Sequence, residues 1–320
     1  MHKLQQYFLD ILSKYNIIPS SESPLLLAIS GGKDSMVLLH AAYLTLPRGT
    51  YIVVYINHGI RPESTSDGEF IKVWCEGRDI AFFEQLLHLD LSNMNNLESR
   101  AREARYQTLR EVAKIHSASC IVTAHHQTDQ AETIMMRWLS GSSLVGLVGM
   151  QVFSDGILRP FLSLSQNEIL IYIREHSIEW REDSTNKDVS YRRNWLRNKI
   201  LPQVREKYPS LDRKMSEFSE YAQDINNYIE VQVEKFLQEN HFEEDRGFSV
   251  VGFQEQHSTL RDSIISYLYS KAHQGSRQGL SRGNITEIER YILTADGGTK
   301  KQIGKLILTK KQSRVFVIEG

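Results

Sequence analysis

The first half of the chain is broken into apolar runs too short for core helices. Leu25-Leu26-Leu27-Ala28-Ile29 stops at Ser30-Gly31-Gly32, and Tyr51-Ile52-Val53-Val54-Tyr55-Ile56 is β-branched and aromatic. Ile80-Ala81-Phe82-Phe83 and Cys120-Ile121-Val122-Thr123 are two more runs of strand length. Helical stretches lie between them. Ser35 to Leu44 is one, and Gln130 to Leu139 another. A longer one carries Leu97, Ala101, Ala104, Leu109 and Val112 along one stripe. Strands alternating with helices make βαβ units, and these build a parallel sheet covered by helices. Open sheets of this kind bind ligands at the carboxyl ends of their strands. The loops that begin at Ser30, Asn57 and His125 are therefore the first places to look.

The second half reads as mainly helical, with helices expected over Leu164 to Ile178 and Leu211 to Leu237. Short strand-like runs, 305–308 and 314–318, follow near the end. The prolines Pro202 and Pro209 mark a boundary, so two domains are expected, 1–205 and 206–320. Two cysteines, Cys75 and Cys120, rule out a disulfide framework and any C-x-x-C metal or redox pair. No run of 18 apolar residues spans a membrane, and the first residues lack the pattern of a signal peptide. The expected location is the cytoplasm. A net charge of −1 conceals an uneven distribution. Residues 191–207 hold six basic residues against one acid, and 271–320 hold ten against four. A basic second half on an acidic body suits a nucleic-acid partner, because binding depends on the local field.

Ser30-Gly31-Gly32-Lys33-Asp34-Ser35 joins the first strand to the first helix. Two glycines permit a tight turn and a close approach to a ligand. The helix that follows presents free N–H groups and the positive end of its dipole, which suits phosphate. Ser30 and Ser35 can donate from hydroxyls, and Lys33 adds charge. Asp34 beside an anion calls for a divalent cation between them, and Mg²⁺ fits an oxygen ligand set. The spacing is that of neither the Walker loop nor the dinucleotide-binding fingerprint.

His125 and His126 leave the fourth strand, with Asp129 and Glu132 on the next helix. Residues three apart share a helix face. Two carboxylates together can hold an amine and accept its proton. First-turn acids that merely oppose the helix dipole are the plain alternative. Zinc is disfavoured, because adjacent histidines on an extended chain point to opposite sides. Arg102 and Arg105 form either a solvated basic face or part of a site. Arg193 and Arg197, with Tyr191 and Trp195 interleaved, have the composition of a phosphate-contacting patch with stacking side chains.

Ser30 to Ser35 resembles the S-G-G-x-D-S signature of the N-type ATP pyrophosphatases, the PP-loop superfamily. Further segments resemble its tRNA(Ile)-lysidine synthetase branch. They are Asn57-His58-Gly59-Ile60-Arg61-Pro62, Ala101-Arg102-x-x-Arg105-Tyr106, Thr123-Ala124-His125-His126-x-x-Asp129-Gln130-Ala131-Glu132, Arg159-Pro160-Phe161-Leu162, Glu182-Asp183-Ser184-Thr185-Asn186 and Tyr191-x-Arg193-Asn194-x-x-Arg197. The match covers about 25 to 211 and departs from the usual pattern at Thr128, Ser140 and Gln166. The resemblance implies a Rossmann-like α/β catalytic domain and a smaller, mainly helical tRNA-binding domain, in a short form without a further C-terminal domain. It implies ATP and Mg²⁺ as cofactors, with L-lysine and the CAU-anticodon tRNA(Ile) as partners, and leaves a homodimer open. Ser30, Gly31, Gly32, Lys33, Asp34, Ser35, His58 and Arg61 would bind ATP, and Asp34 would hold Mg²⁺. Asp34 and Asp129 would be catalytic, and Asp129 and Glu132 would hold lysine. His125, His126, Arg193 and Arg197 would face the tRNA. A PP-loop tRNA 2-thiolation enzyme and a nucleotide-binding module without chemistry are the alternatives.

Overall fold

The computed structural model describes all residues except 58, 60–62, 88–96, 143, 183–187, 276–278 and 319–320. The chain forms two compact units, Met1–Glu220 and Tyr221–Gly320. The boundary expected at 205/206 falls inside the first unit.

The first unit opens with α1 (Lys3–Lys14), followed by β1 (Leu25–Ala28), α2 (Lys33–Thr45), β2 (Tyr51–Asn57), α3 (Glu63–Glu76) and β3 (Phe82–Leu86). It continues through α4 (Leu97–Ile115), β4 (Cys120–Val122), α5 (Gln127–Leu139), α6 (Leu144–Leu147), β5 (Phe153–Ser154), β6 (Ile157–Leu158) and α7 (Gln166–His176). After α8 (Arg192–Trp195), a π-helical turn at Leu196–Ile200 leads into α9 (Leu201–Lys207) and α10 (Leu211–Glu239), and the unit boundary falls within α10.

The sheet order is β3-β2-β1-β4-β6-β5, parallel except for the short β5–β6 hairpin. Side chains alternate across it. Leu25, Leu27, Val53, Tyr55 and Val122 face a core with α1, α2, α3 and α7. Leu26, Ile52, Val54, Ile56 and Ile121 face a second core built on Tyr106, Leu109 and Val112 of α4. Both faces are covered, and this is why β1 and β2 read as unbroken apolar runs. The chain winds outward from β1 to β2 and β3, then returns to place β4 on the other side of β1. That reversal is the topological switch point, where the crevice of such a sheet opens. The loops after β1 and β4 flank it.

The second unit holds the rest of α10, then α11 (Phe242–Asp245), β7 (Gly247–Ser249), α12 (Val250–Gln254), α13 (Ser258–Ala272) and α14 (Arg282–Thr294). A four-stranded antiparallel sheet of order β7-β10-β9-β8 completes it, with β8 (Lys300–Ile303), β9 (Leu306–Lys311) and β10 (Arg314–Ile318). Phe236, Phe248, Phe253, Ile264, Leu268 and Ile292 are among its buried core. No helix among the described residues is long and apolar enough to cross a membrane.

Candidate active site

The loop after β1 is shaped by its own hydroxyls. Ser35 Oγ donates to the Gly32 carbonyl (2.8 Å), and the Ser30 amide donates to Ser35 Oγ (3.2 Å). Gly31 adopts φ +82°, which a side chain would strain. Gly32 caps α2 with no side-chain hydrogen bond. The first amides of α2 are thus left to a ligand, as an anion site requires.

His126 caps the opposite helix, α5. Its Nδ1 accepts from the Thr128 amide (3.2 Å), while the His126 amide donates to Asp129 Oδ2 (3.1 Å), closing a capping box. That geometry turns His126 Nε2 toward Asp34 Oδ2 (3.7 Å) and Asp129 Oδ2 (3.5 Å). Burial works against the imidazolium, but Asp34 and Asp129 outweigh it, and the His126 pKa is raised. One imidazole therefore links the phosphate loop to the acidic helix.

Asp129 and Glu132 share a face of α5 and are met there by two arginines from the segment 193–197. Arg197 holds Glu132 bidentately, through Nε (2.6 Å) and Nη2 (2.7 Å), and reaches Asp129 Oδ1 (3.0 Å). Arg193 Nε donates to Glu132 Oε2 (2.9 Å), and its Nη2 lies 3.4 Å from Asp129 Oδ1. Glu132 is fully buried at 0 % exposure, and such a carboxylate needs this pairing. Burial alone would raise the Asp129 pKa. His126, His125, Arg193 and Arg197 instead hold it down at about 2.

His125 turns the other way, with Nδ1 2.8 Å from Thr123 Oγ1. Burial, reinforced by Arg102, Arg105 and Arg159 against the pull of Asp129, lowers its pKa to about 3. The imidazole is neutral at physiological pH.

The crevice passes one test for a cation. Asp34 Oδ1 is buried with no hydrogen-bond partner. No group of three or more His, Cys, Asp or Glu among the described residues is placed to hold a metal by itself. A cation on Asp34 would therefore draw its remaining ligands from phosphate and water, as Mg²⁺ does.

The structure thus gathers Ser30 to Ser35, His126, Asp129, Glu132, Arg193 and Arg197 at the switch point, with His125 on the adjacent side. His58, Arg61 and Asp183 to Asn186 lie outside the described residues. Two supports escaped sequence reasoning. Thr128 Oγ1 donates to Asp212 Oδ2 (3.1 Å), and Arg205 grips Asp212 (2.9 and 3.1 Å). Gln130 clamps Met150 through both backbone groups (2.8 Å each). A Cβ at Gly149 would lie 2.8 Å from the Gln130 amide, which explains glycine there. Both cysteines are buried in the core, and burial pushes each thiol up to about 12.

The PP-loop domain model of the ATP_bind_3 family matches residues 2–204. The tRNA(Ile)-lysidine synthase of Bacillus licheniformis is 35 % identical over 231 residues, covering 69 % of this chain and 48 % of that protein. The enzyme of the same name from Chlorobaculum tepidum is 30 % identical over 251 residues, covering 74 % of each. The chain thus spans about half the length of the first relative and three quarters of the second. Among solved structures, the U34-tRNA thiolase NcsA from Methanococcus maripaludis, with its 4Fe-4S cluster, superposes with a TM-score of 0.57. At 16 % identity over 68 % of this chain and 78 % of that one, the likeness is one of fold. The chain belongs to the PP-loop family and, within it, to the tRNA(Ile)-lysidine synthase family.

Proposed function

We propose that this chain is an ATP-dependent carbon–nitrogen ligase that converts the wobble cytidine of CAU-anticodon tRNA(Ile) to lysidine. The C2 oxygen of the base attacks the α-phosphate of ATP and pyrophosphate leaves. A lysine amine then attacks C2, and AMP departs with the oxygen. The observation that carries this reading is the orphaned Oδ1 of Asp34, in the first turn of the uncapped helix α2, on a carboxylate whose other oxygen lies 3.7 Å from His126 Nε2.

Ser30 to Ser35 cradle the phosphates, and Lys33 adds positive charge. Asp34 would hold Mg²⁺, which neutralises phosphate charge as pyrophosphate departs. Asp129 and Glu132 hold the lysine ammonium and draw off its proton. To do so they release one guanidinium. Arg197, with 32 % of its side chain exposed against 19 % for Arg193, is the one free to turn toward RNA phosphate. His125 and His126 flank the base, and His58 and Arg61 lie on the nucleotide side. The first unit is the catalytic part, and the second grips tRNA. ATP and tRNA as substrates place the reaction in the cytoplasm. The 2-thiolation alternative needs a reactive thiol, and neither buried cysteine offers one.

The test supplies radiolabelled lysine, ATP and the CAU-anticodon tRNA(Ile). Label enters the tRNA if the reading is right; a folded protein that binds ATP without transferring label refutes it. Asp34→Ala is expected to abolish AMP release.

A further inference from the structure

A cavity of about 640 Å³ opens where the starts of α5, α7 and α10 meet. Gln127 lines it from α5, Gln166 and Asn167 from α7, and Ser210 and Asp212 from the turn into α10. Leu170 and Pro209 add apolar surface. The cavity borders the acidic helix of the crevice. His126 and Thr128 flank Gln127 in the chain, and Thr128 Oγ1 donates to Asp212 Oδ2 (3.1 Å). None of the lining comes from the glycine loop Ser30 to Ser35. Thr128 and Gln166, two of the three positions where the chain departs from the usual family pattern, fall on this cavity or against it. The charged groups of the lining are already occupied within the protein. Asp212 is held by Arg205 (2.9 Å), and Arg213 by Glu217 (2.7 Å). The neutral groups are not. The side-chain amides of Gln127, Gln166 and Asn167 and the hydroxyl of Ser210 have no hydrogen-bond partner among the described residues.

A carboxamide presents an acceptor and a donor side by side in one plane. That is the complement of an adenine edge, where N6 donates and N7 accepts, and asparagine and glutamine make this bidentate pair. A phosphate is a poor match, because the one guanidinium on the lining is occupied and Asp212 contributes negative charge. The volume falls in the range of ~300–1,000 Å³ typical of ligand sites. Single-stranded RNA is read in just such places, with a base splayed out, packed on its faces and bonded along its edges. Leu170 and Pro209 supply the faces and the carboxamides the edge. We propose that Gln127, Gln166 and Asn167 form a base-reading pocket for the adenine that follows the wobble cytidine in the CAU anticodon. The identity of the RNA rests on the proposed function. Gln127 follows His126 directly, and the adenine follows the reacting cytidine directly, so adjacent subsites take adjacent bases. Holding the second base orients the first, whose C2 oxygen must meet the α-phosphate.

Adenine occurs in both ATP and the RNA, and steady-state kinetics separates the two. Gln166→Ala combined with Asn167→Ala is expected to raise the KM for tRNA about tenfold, the discrimination of one bidentate pair, with the KM values for ATP and lysine within about twofold. Both residues are exposed at the start of α7, so their loss leaves the fold intact. Binding of a CAU anticodon stem–loop needs no turnover. Replacing its middle adenine with purine, which lacks the N6 amino group, is expected to weaken binding to the unaltered protein about fivefold, the cost of one hydrogen bond. The same replacement costs the double variant nothing further, because the partner is already gone. The slope of log K against log salt is unchanged in the variant, since no phosphate contact is lost. An unchanged tRNA KM overturns the proposal. So does a rise confined to ATP, a shallower salt slope, which would give the cavity to RNA phosphate, or a loss that adds to that of the altered base. If the variant loses stem–loop affinity as expected while no lysidine forms, the function fails and the pocket stands. If lysidine forms at an unaltered tRNA KM, the pocket fails and the function stands.

Discussion

Two basic segments, 191–207 in the first unit and 300–314 in the second, carry six Lys and Arg each. In the first, Arg193 and Arg197 are committed to Asp129 and Glu132, Arg205 to Asp212, and Lys207 lies 3.8 Å from Glu206. In the second, Lys301 pairs with Glu287 and Arg314 with Asp245, while Lys310 is buried with its ammonium on the Ile292 carbonyl at the C-terminal end of α14. Lys300, Lys305 and Lys311 are exposed and pair with no carboxylate among the described residues. Local charge counts are nearly the same in the two segments, but what that charge does differs. In the first it frames a buried acidic centre. In the second, half of it remains available to a polyanion.

The largest effect that would break this comparison comes from Glu132→Gln. If the arginines of 191–207 are structural partners of Glu132, removing its charge strands two guanidiniums in a buried place. The expected loss is ~3–5 kcal/mol of unfolding free energy, read from urea denaturation. A loss below ~1 kcal/mol would mean that the arginines relax into solvent and that the pairing is incidental. By the same logic, Arg193→Ala should act first on stability, and only secondarily on the salt dependence of RNA binding.

Acid sharpens the comparison next. The Asp129 pKa is lowered from the ordinary carboxylate value of 3.8 to about 2. A depressed folded-state pKa contributes stability that is fully present above 3.8 and is lost as pH falls toward 2. Over that window the first unit should lose ~2 kcal/mol that an Asp129→Asn variant never had. The measurement is the difference in unfolding free energy between the two proteins at pH 5 and pH 2.5. Parallel curves would show that Asp129 is not held down by His126, His125 and the two arginines.

How far the sequence foretold this arrangement depends on range. β1, its glycine loop and the start of α2 are local, and so is the common face of Asp129 and Glu132. All were legible from spacing. The strand-to-helix alternation also placed the crevice, because the connection rules of parallel sheets leave few orders. The partners of the acids were not legible. Arg193 and Arg197 stand 61 and 65 residues beyond Glu132, and a basic stretch reads alike whether it faces solvent or folds back. Thr128, a departure from the family pattern, became intelligible only once Asp212 was found across from it. The antiparallel sheet of the second unit was half seen: β10 agrees with the expected run at 314–318, whereas β7 is three residues long and lay unrecognised among helices.

The smallest effect falls on the second segment, and it tests the other half of the comparison. Lys300, Lys305 and Lys311 make no ion pair among the described residues that their loss would break, so Lys→Ala at each should leave unfolding free energy within ~0.5 kcal/mol. Yet each lysine that meets an RNA phosphate displaces condensed counterions. The slope of log K against log salt for tRNA binding should then fall by roughly 0.7–0.9 per lysine that makes such a contact. The triple variant is therefore expected to fold normally and to bind tRNA with a slope shallower by about 2. Lys301→Ala is the internal control, because its ammonium is already occupied by Glu287. An equal change of slope on removing Lys301 would mean that pairing within the chain does not decide which charges reach the RNA. The distinction between the two segments would then collapse to their charge counts.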